Sequence, residues 1–361
     1  MREKIIKYLC CPECYMDLML QKHNPSDSTG HIITGELNCK GCGNTYPIVD
    51  GVPFFNLNLT DSHIDLNRKN FADEWNYFTS NMDERNETLA KEELESCFNP
   101  FANYKDLENK FVLDAGCGGG RFIYVISKET NAKEIFGLDL SNAVITAFKN
   151  TKHFDNVTII QGDITKPPFK KERLFDFIYS IGVLHHIQDP RQGFNSLVNN
   201  LKQDGKILAW VYGKEGNALY IRFADPIRKA ITSKLPFKVN LSLSFIISLI
   251  LWLIILTFYR PLNLILGEET VSKFLPFNEY FNFFRKRGFK DFWRTVFDKM
   301  VPTISYYISS EEFKTWFESN NLEYKIYFRN GHSWLGIGQP NKTLNNGKIK
   351  LESLQQTART K

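Results

Sequence analysis

The residues of this chain best placed to do chemistry sit where apolar runs end. Val112-Leu113-Asp114-Ala115 runs straight into Gly116-Cys117-Gly118-Gly119-Gly120-Arg121. A strand that ends in a carboxylate and then in glycines lets a nucleotide-like ligand lie against bare backbone. Glycine has no Cβ and tolerates φ > 0. The spacing over Gly116, Gly118 and Gly120 is G-x-G-x-G. A turn for hydride-transfer dinucleotides wants G-x-G-x-x-G, whose third glycine would fall at Arg121. A second apolar run, Ile135 to Leu140, carries Asp139 near its end. That is about twenty residues on, where a doubly wound fold places the carboxylate that binds two ribose hydroxyls. A third run, Val157 to Ile164, brings Asp163 and Ile164 to its end. A fourth, from Phe175, leads through Ser180 into a loop with His185 and His186. A neutral imidazole there is a candidate base, because its unperturbed pKa suits proton transfer near neutrality.

The amino-terminal stretch offers different chemistry. Cys11-Pro12-Glu13-Cys14 and Cys39-Lys40-Gly41-Cys42 are two C-x-x-C knuckles. Four thiolates at one point suit tetrahedral Zn²⁺, and a four-thiolate site leaves no open position for catalysis. The expected zinc is therefore structural, with ligands Cys11, Cys14, Cys39 and Cys42. A segment this short buries little core of its own, so the metal would supply folding energy. Seven cysteines, an odd number with four in knuckles, fit a reducing compartment better than a disulfide framework. The first residues hold no apolar stretch long enough for a signal peptide. Both features lead to an expected cytoplasmic location.

The elements that must hold these residues read as alternating strands and helices. At 361 residues, 43% of them hydrophobic and 24% charged, the chain has material for a large core and an accessory module. Residues 1–56 form the zinc module, and 57–110 a linker with covering helices. Within the latter, Asn56 to Asn70 reads as linker. Phe71, Trp75 and Phe78 fall on one helical face, which either packs into the core or flaps over a ligand. Residues 111–213 hold five strands, the last ending at Tyr212 on the ligand side of the sheet. Residues 214–300 are a helical insertion, and 301–340 a last helix and a closing hairpin turned at Asn330-Gly331. Ser309 and Glu312 read as a capping box for that helix. Residues 341–361 are a polar tail expected to be disordered.

The wording of these segments, V-L-D-x-G-C-G-x-G, G-x-D-x-S, G-D and F-D-x-I-x-S-x-x-V-L-H-H, resembles class I S-adenosylmethionine-dependent methyltransferases. The likeness is strong from Phe111 to Gly213. It implies an α/β fold with a seven-stranded, mostly parallel Rossmann-like sheet and an antiparallel closing strand. It also implies S-adenosylmethionine held by Asp114, Gly116, Gly118, Gly120, Asp139, Asp163, Ile164 and Ser180. The amino-terminal knuckles, with Thr45 to Phe55, look like the small zinc-ribbon subunit that activates several methyltransferases, here fused to its catalytic domain. The loop Ser180-Ile181-Gly182-Val183 lacks the N/D-P-P-Y/F motif of exocyclic-nitrogen methylation. No Pro-Cys nucleophile follows it.

Leu241 to Tyr259 carries no charged residue. By length it is a transmembrane candidate. One crossing would part the last strands from their own sheet, so the expectation is a buried or interfacial lid, with a hairpin turn at Arg260-Pro261. Basic residues flank it, and a net charge of +5 is mild for a nucleic-acid binder. The expected reaction is thus O-methylation of a small-molecule or amphiphilic, lipid-like acceptor, with peripheral contact at the inner membrane face and no nucleic acid favoured. Tyr212, Tyr306 and Tyr307 are the substrate-side candidates. The alternatives are an RNA or protein methyltransferase docking through the ribbon, and a non-catalytic scaffold at a membrane. Oligomeric state stays open.

Overall fold

A computed structural model describes residues 1–22, 30–55, 61–78, 81–170 and 173–341. The amino-terminal module is an antiparallel sheet of β1 (Leu18–Lys22), β2 (Gly35–Cys39), β3 (Thr45–Val49) and β4 (Val52–Pro53), in that spatial order. It does not stand apart. Phe54 bridges in parallel to Gln161, and Leu9 bridges to Phe169. Ile5, Leu9, Leu37 and Ile48 share one core with Phe136, Phe169 and Phe175. A short ribbon buries few apolar groups alone, so it borrows the flank of the larger sheet.

That larger sheet is built from β5 (Phe111–Ala115), β6 (Glu134–Asp139), β7 (Val157–Gln161), β8 (Phe175–Ile181), β9 (Leu201–Tyr212), β10 (Leu322–Arg329) and β11 (Ser333–Pro340). Its order is β10-β11-β9-β8-β5-β6-β7. The pairs among β5 to β9 are parallel, and β11 runs antiparallel to both neighbours. Every residue of β5 is buried, as expected of a central strand covered on both faces. The hairpin turns at Asn330 (φ 51°) and Gly331 (φ 66°), as its sequence predicts.

The helices are α1 (Ser62–Phe78), α2 (Glu84–Phe98), α3 (Arg121–Glu129), α4 (Ala143–Thr151) and α5 (Pro190–Asn199), then α6 (Asp225–Ala230), α7 (Phe237–Ile254), α8 (Arg260–Leu266), α9 (Glu268–Ser272), α10 (Asn278–Arg287), α11 (Phe289–Met300) and α12 (Ser310–Glu318). Asp83, Asp189 and Ser309 cap α2, α5 and α12 by accepting from backbone N–H groups. The expected linker over Asn56–Asn70 is corrected, since α1 already begins at Ser62. Its first turns are polar because Asn67 is turned inward to bond two loops. The expected disordered tail falls at 342–361, outside the described residues.

The insertion also departs from expectation. Phe237–Leu266 runs as one helix of 30 residues, with a π-turn at Ile255–Tyr259 and no hairpin at Arg260-Pro261. Pro261 sits in the first turn of α8, where a widened turn before it accommodates its missing N–H. Nor is the helix a buried lid, since only 17% of its most apolar window is covered. Its polar stripe faces inward instead. Asn240, Ser244 and Ser248 are buried, and Trp293 donates to Ser244 Oγ at 2.9 Å. Ile246, Ile250 and Leu253 point outward. Among the described residues it is the one helix long and apolar enough to cross a membrane, by length and composition. Behind it an open, largely apolar cavity of about 530 Å³ is bordered by Leu251, Phe281 and Phe292.

Candidate active site

The carboxyl ends of β5, β6, β7 and β8 open into one cleft of about 210 Å³. The glycine turn after β5 forms one wall. Gly116 sits at φ 95°, and a Cβ there would fall 2.2 Å from Val183. Gly118 sits at φ 50° directly beneath the Trp75 indole, with 3.0 Å to the nearest ring atom from a built Cβ. Asp139 ties this turn to β6. Its Oδ2 accepts from Gly118 N at 2.9 Å and its Oδ1 from Ser141 N at 2.7 Å. Burial raises its pKa, and those hydrogen bonds oppose the rise. A carboxylate offers about four lone-pair sites, so capacity remains for ribose hydroxyls.

Asp163 and Ile164 line the cleft beyond Asp139. Asp163 accepts from Thr165 N at 2.7 Å, which sets its rotamer. Two expected ligand contacts are corrected. Asp114 lies under the turn, where it accepts from Tyr179 Oη at 3.0 Å. Burial, with the nearby Asp139 charge, pushes its pKa up to about 8. Ser180 is fully buried and donates to Ala115 O at 2.8 Å, because this position of β8 faces the neighbouring strand. Neither residue lines the cleft, and both brace the strands that do.

The two histidines divide. His186 lines the cleft, with its Nδ1 2.9 Å from Ile304 O. A carbonyl only accepts, so Nδ1 carries the proton and Nε2 is left as the acceptor. Burial drives its pKa down to about 4, against the pull of Asp298, so the ring is neutral at neutral pH. His185 is corrected as a candidate base. Neither of its ring nitrogens has a partner, and its ring packs 4.0 Å from that of Tyr212 and 4.1 Å from that of His186. Burial lowers its pKa far below the usual histidine range.

Helix α1 roofs the cleft. Ile64, Asn67, Arg68, Phe71 and Trp75 line it from one helical face. Asn67 fastens the roof, donating to His186 O at 3.0 Å and accepting from Thr303 N at 2.9 Å. Phe71 and Trp75 are thus a flap, whereas Phe78 packs into the insertion against Phe297. Ile64, Asn67 and Arg68 escape sequence reasoning because they fall in the polar stretch. Their i, i+3, i+4 spacing with Phe71 is the signal that finds them.

Of the tyrosines, Tyr212 is buried and donates to Asp298 Oδ2 at 2.7 Å beside the cleft. Tyr306 is half exposed and donates to Gln188 O, and Tyr307 stacks on Tyr212. Neither borders the cleft, although Ile304 of the same stretch does.

In the ribbon, the sulfurs of Cys11, Cys14, Cys39 and Cys42 lie within 4.8 Å of one another. Zn–S bonds of about 2.3 Å in a tetrahedron place sulfurs roughly 3.8 Å apart. The sulfur separations of 3.6 Å for Cys11–Cys42 and 3.3 Å for Cys14–Cys39 fit closure around such an ion. The Tyr46 hydroxyl lies 3.0 Å from Cys11 Sγ, the position of an outer-shell support.

The methyltransferase domain family matches residues 113–209, and the Trm112p-like protein family matches residues 2–51. The tRNA U34 carboxymethyltransferase of Pseudoalteromonas atlantica is 33% identical over 116 residues, 31% of this chain and 35% of the relative. That of Aliarcobacter butzleri is 31% identical over 117 residues, 31% of this chain and 36% of the relative. The chain thus spans about a third of the length of these relatives. A solved complex of the Haloferax volcanii Trm112 methyltransferase activator with a methyltransferase covers 75% of this chain and 98% of its own, at 13% identity and a TM-score of 0.41. The relatives' names overturn the expected O-methylation of a small or lipid-like acceptor, and the expectation that no nucleic acid is favoured. The chain joins a Trm112p-like segment that carries the four-cysteine cluster to an S-adenosylmethionine-dependent methyltransferase domain.

Proposed function

We propose that this chain transfers the activated carbon group of an S-adenosylmethionine-type sulfonium to a tRNA base. The observation that carries this reading is the match to tRNA U34 carboxymethyltransferases, 33% and 31% identical over 116 and 117 residues. The geometry agrees with such a donor. Asp139 stands where ribose hydroxyls need an acceptor, and Ile164 offers an apolar face to an adenine. Attack on the sulfonium carbon is an in-line displacement, so the protein's main contribution is alignment. Phe71 and Trp75 in the roof give flat faces to an unstacked base, the usual means of holding single-stranded RNA. His186 Nε2 takes a proton where the acceptor atom still carries one. The four cysteines hold Zn²⁺ as a structural brace for the ribbon beside β7.

The test is nucleoside mass spectrometry of tRNA incubated with the full-length protein and either S-adenosylmethionine or its carboxymethyl sulfonium counterpart. The reading expects one nucleoside to gain the transferred group. Unmodified tRNA with both donors contradicts it.

A further inference from the structure

A second cavity, about 90 Å³, opens beside the cleft and shares Trp75, Ile181, Gly182 and Asp298 with it. Five positive side chains line it, against the carboxylates of Glu93 and Asp298. Three of the five are already compensated. Arg121 pairs with Glu93 at 2.7 Å, and Arg287 and Arg294 pair with Asp291 behind the wall. The other two, Arg329 and Lys299, are not.

Arg329, on β10, is only 6% exposed. Its Nε and Nη2 both donate to the Ser96 hydroxyl, a neutral acceptor, at 3.2 and 2.8 Å. Among the described residues, no carboxylate lies within 4.0 Å of its guanidinium. Lys299, at the end of α11, buries its Nζ without a hydrogen-bond partner. The ammonium faces the rings of Tyr212, Tyr220 and Tyr280 at 4.2, 5.2 and 5.8 Å. Aromatic faces attract a cation but satisfy none of its three N–H donors. The one carboxylate at hand, Asp298, already accepts from Tyr212. Burial lowers the Lys299 pKa to about 8, with Asp298 opposing, so the amine is still largely charged at neutral pH. His332, on the same wall, is held neutral by burial, with its pKa near 3.

Two buried cations that, among the described residues, have no carboxylate in salt-bridge contact and face one cavity are a costly arrangement in an empty fold. An arginine fork and an ammonium together match the oxygens of a carboxylate or a phosphate. We propose that Arg329 and Lys299 form an oxyanion subsite that holds one carboxylate or phosphate group of a ligand lying in the adjoining cleft. Cavity size admits a single such group. On the transfer reading, from which this takes its ligand, the oxyanion is a carboxylate on the transferred carbon or a phosphodiester of the RNA.

The experiment uses the full-length protein and the variants Arg329→Met, Lys299→Met and Arg329→Lys. Thermal unfolding with inorganic phosphate comes first, because it needs neither donor nor RNA. The subsite predicts a saturable rise in Tm for the wild type, lost in both methionine variants and partly kept in Arg329→Lys. Removing an unpaired cation should leave each methionine variant at least as stable as the wild type without phosphate. If Arg329→Met does not fold, Lys299→Met decides by the same readout. Calorimetry then separates the sources. A carboxymethyl sulfonium that binds at least tenfold tighter than S-adenosylmethionine, with the preference lost in the variants, assigns the carboxylate. A tenfold loss of affinity for an RNA oligonucleotide, with S-adenosylhomocysteine affinity kept, assigns the phosphodiester. A phosphate response without RNA binding overturns the tRNA reading and leaves the subsite standing. Equal phosphate responses in wild type and both methionine variants overturn the subsite.

Discussion

The Asp139 carboxylate accepts the backbone N–H of Gly118 at 2.9 Å, so the glycine turn of β5 and the acid of β6 form one unit. The donor's ribose and its sulfonium end are therefore positioned by a shared brace. Asp139→Ala removes hydrogen bonds to a charged group, worth about 1.5–3 kcal/mol of donor affinity. Calorimetry with S-adenosylhomocysteine checks this, and unchanged affinity would refute the ribose assignment.

Gly118 lies under Trp75, and that contact fixes how closely α1 roofs the cleft. Gly118→Ala places a methyl 3.0 Å from the indole at a φ that side chains rarely adopt. Donor affinity should fall. Replacing Trp75 with a smaller residue as well should recover part of the loss, because the roof then has room. A double variant no better than Gly118→Ala alone would place the whole effect in backbone strain.

Among the described residues, His186 is the imidazole that lines the cleft, with Nε2 left as an acceptor. His186→Ala should lower turnover by about 10²–10⁴-fold with donor affinity kept. Its pKa of about 4 keeps it unprotonated down to about pH 5, so the rate should fall only below that point. An inflection near the ordinary histidine value would contradict the assignment. His185→Phe should retain activity, since the ring it replaces makes no hydrogen bond.

Asp114 gives a stability test with a definite sign. Its folded pKa, about 8, lies above the ordinary value of 3.8. Between these values the folded state binds the extra proton, so the wild type loses stability as pH rises across that window. Asp114→Asn keeps a neutral acceptor for Tyr179 and escapes the loss. The variant should therefore gain on the wild type from pH 4 to pH 8, as read by denaturant titration. A constant difference across the window would mean that Asp114 is ionised in the fold.

Much of this was legible in sequence because parallel strands end abruptly in polar residues. Asp139, Asp163 and the glycines stand where strand ends must place them, and the hairpin at Asn330-Gly331 follows from its turn residues. Sequence order does not say which way a strand-end side chain points, so Ser180 and His185 looked like site residues and are packed inward. The first turns of helix α1 were hidden because Asn67, a polar residue, faces in. The insertion misled for a related reason. Ser244, Ser248 and Asn240 pack inward while Ile246, Ile250 and Ile254 face out, the reverse of the usual pattern. Arg329 and Lys299 lie 30 positions apart on different elements, and only the fold brings them to one wall.

The ribbon shares its core with the sheet, and this bears on metal removal. Mass spectrometry of the native protein should find one Zn²⁺ per chain. Chelation should lower the melting temperature of the whole molecule in a single transition, because Ile5, Leu9 and Phe169 belong to one cluster. Separate melting of a ribbon and an unaffected domain would contradict that coupling.

The central claim, transfer to tRNA, is tested most directly by following the transferred carbon. The full-length protein is supplied with a donor labelled on that carbon, as methyl or as carboxymethyl sulfonium, together with total tRNA and with lipid and small-molecule extracts. The account predicts label in the tRNA fraction, and its loss in Asp139→Ala and His186→Ala. Label in the lipid or small-molecule fractions with none in tRNA would contradict it.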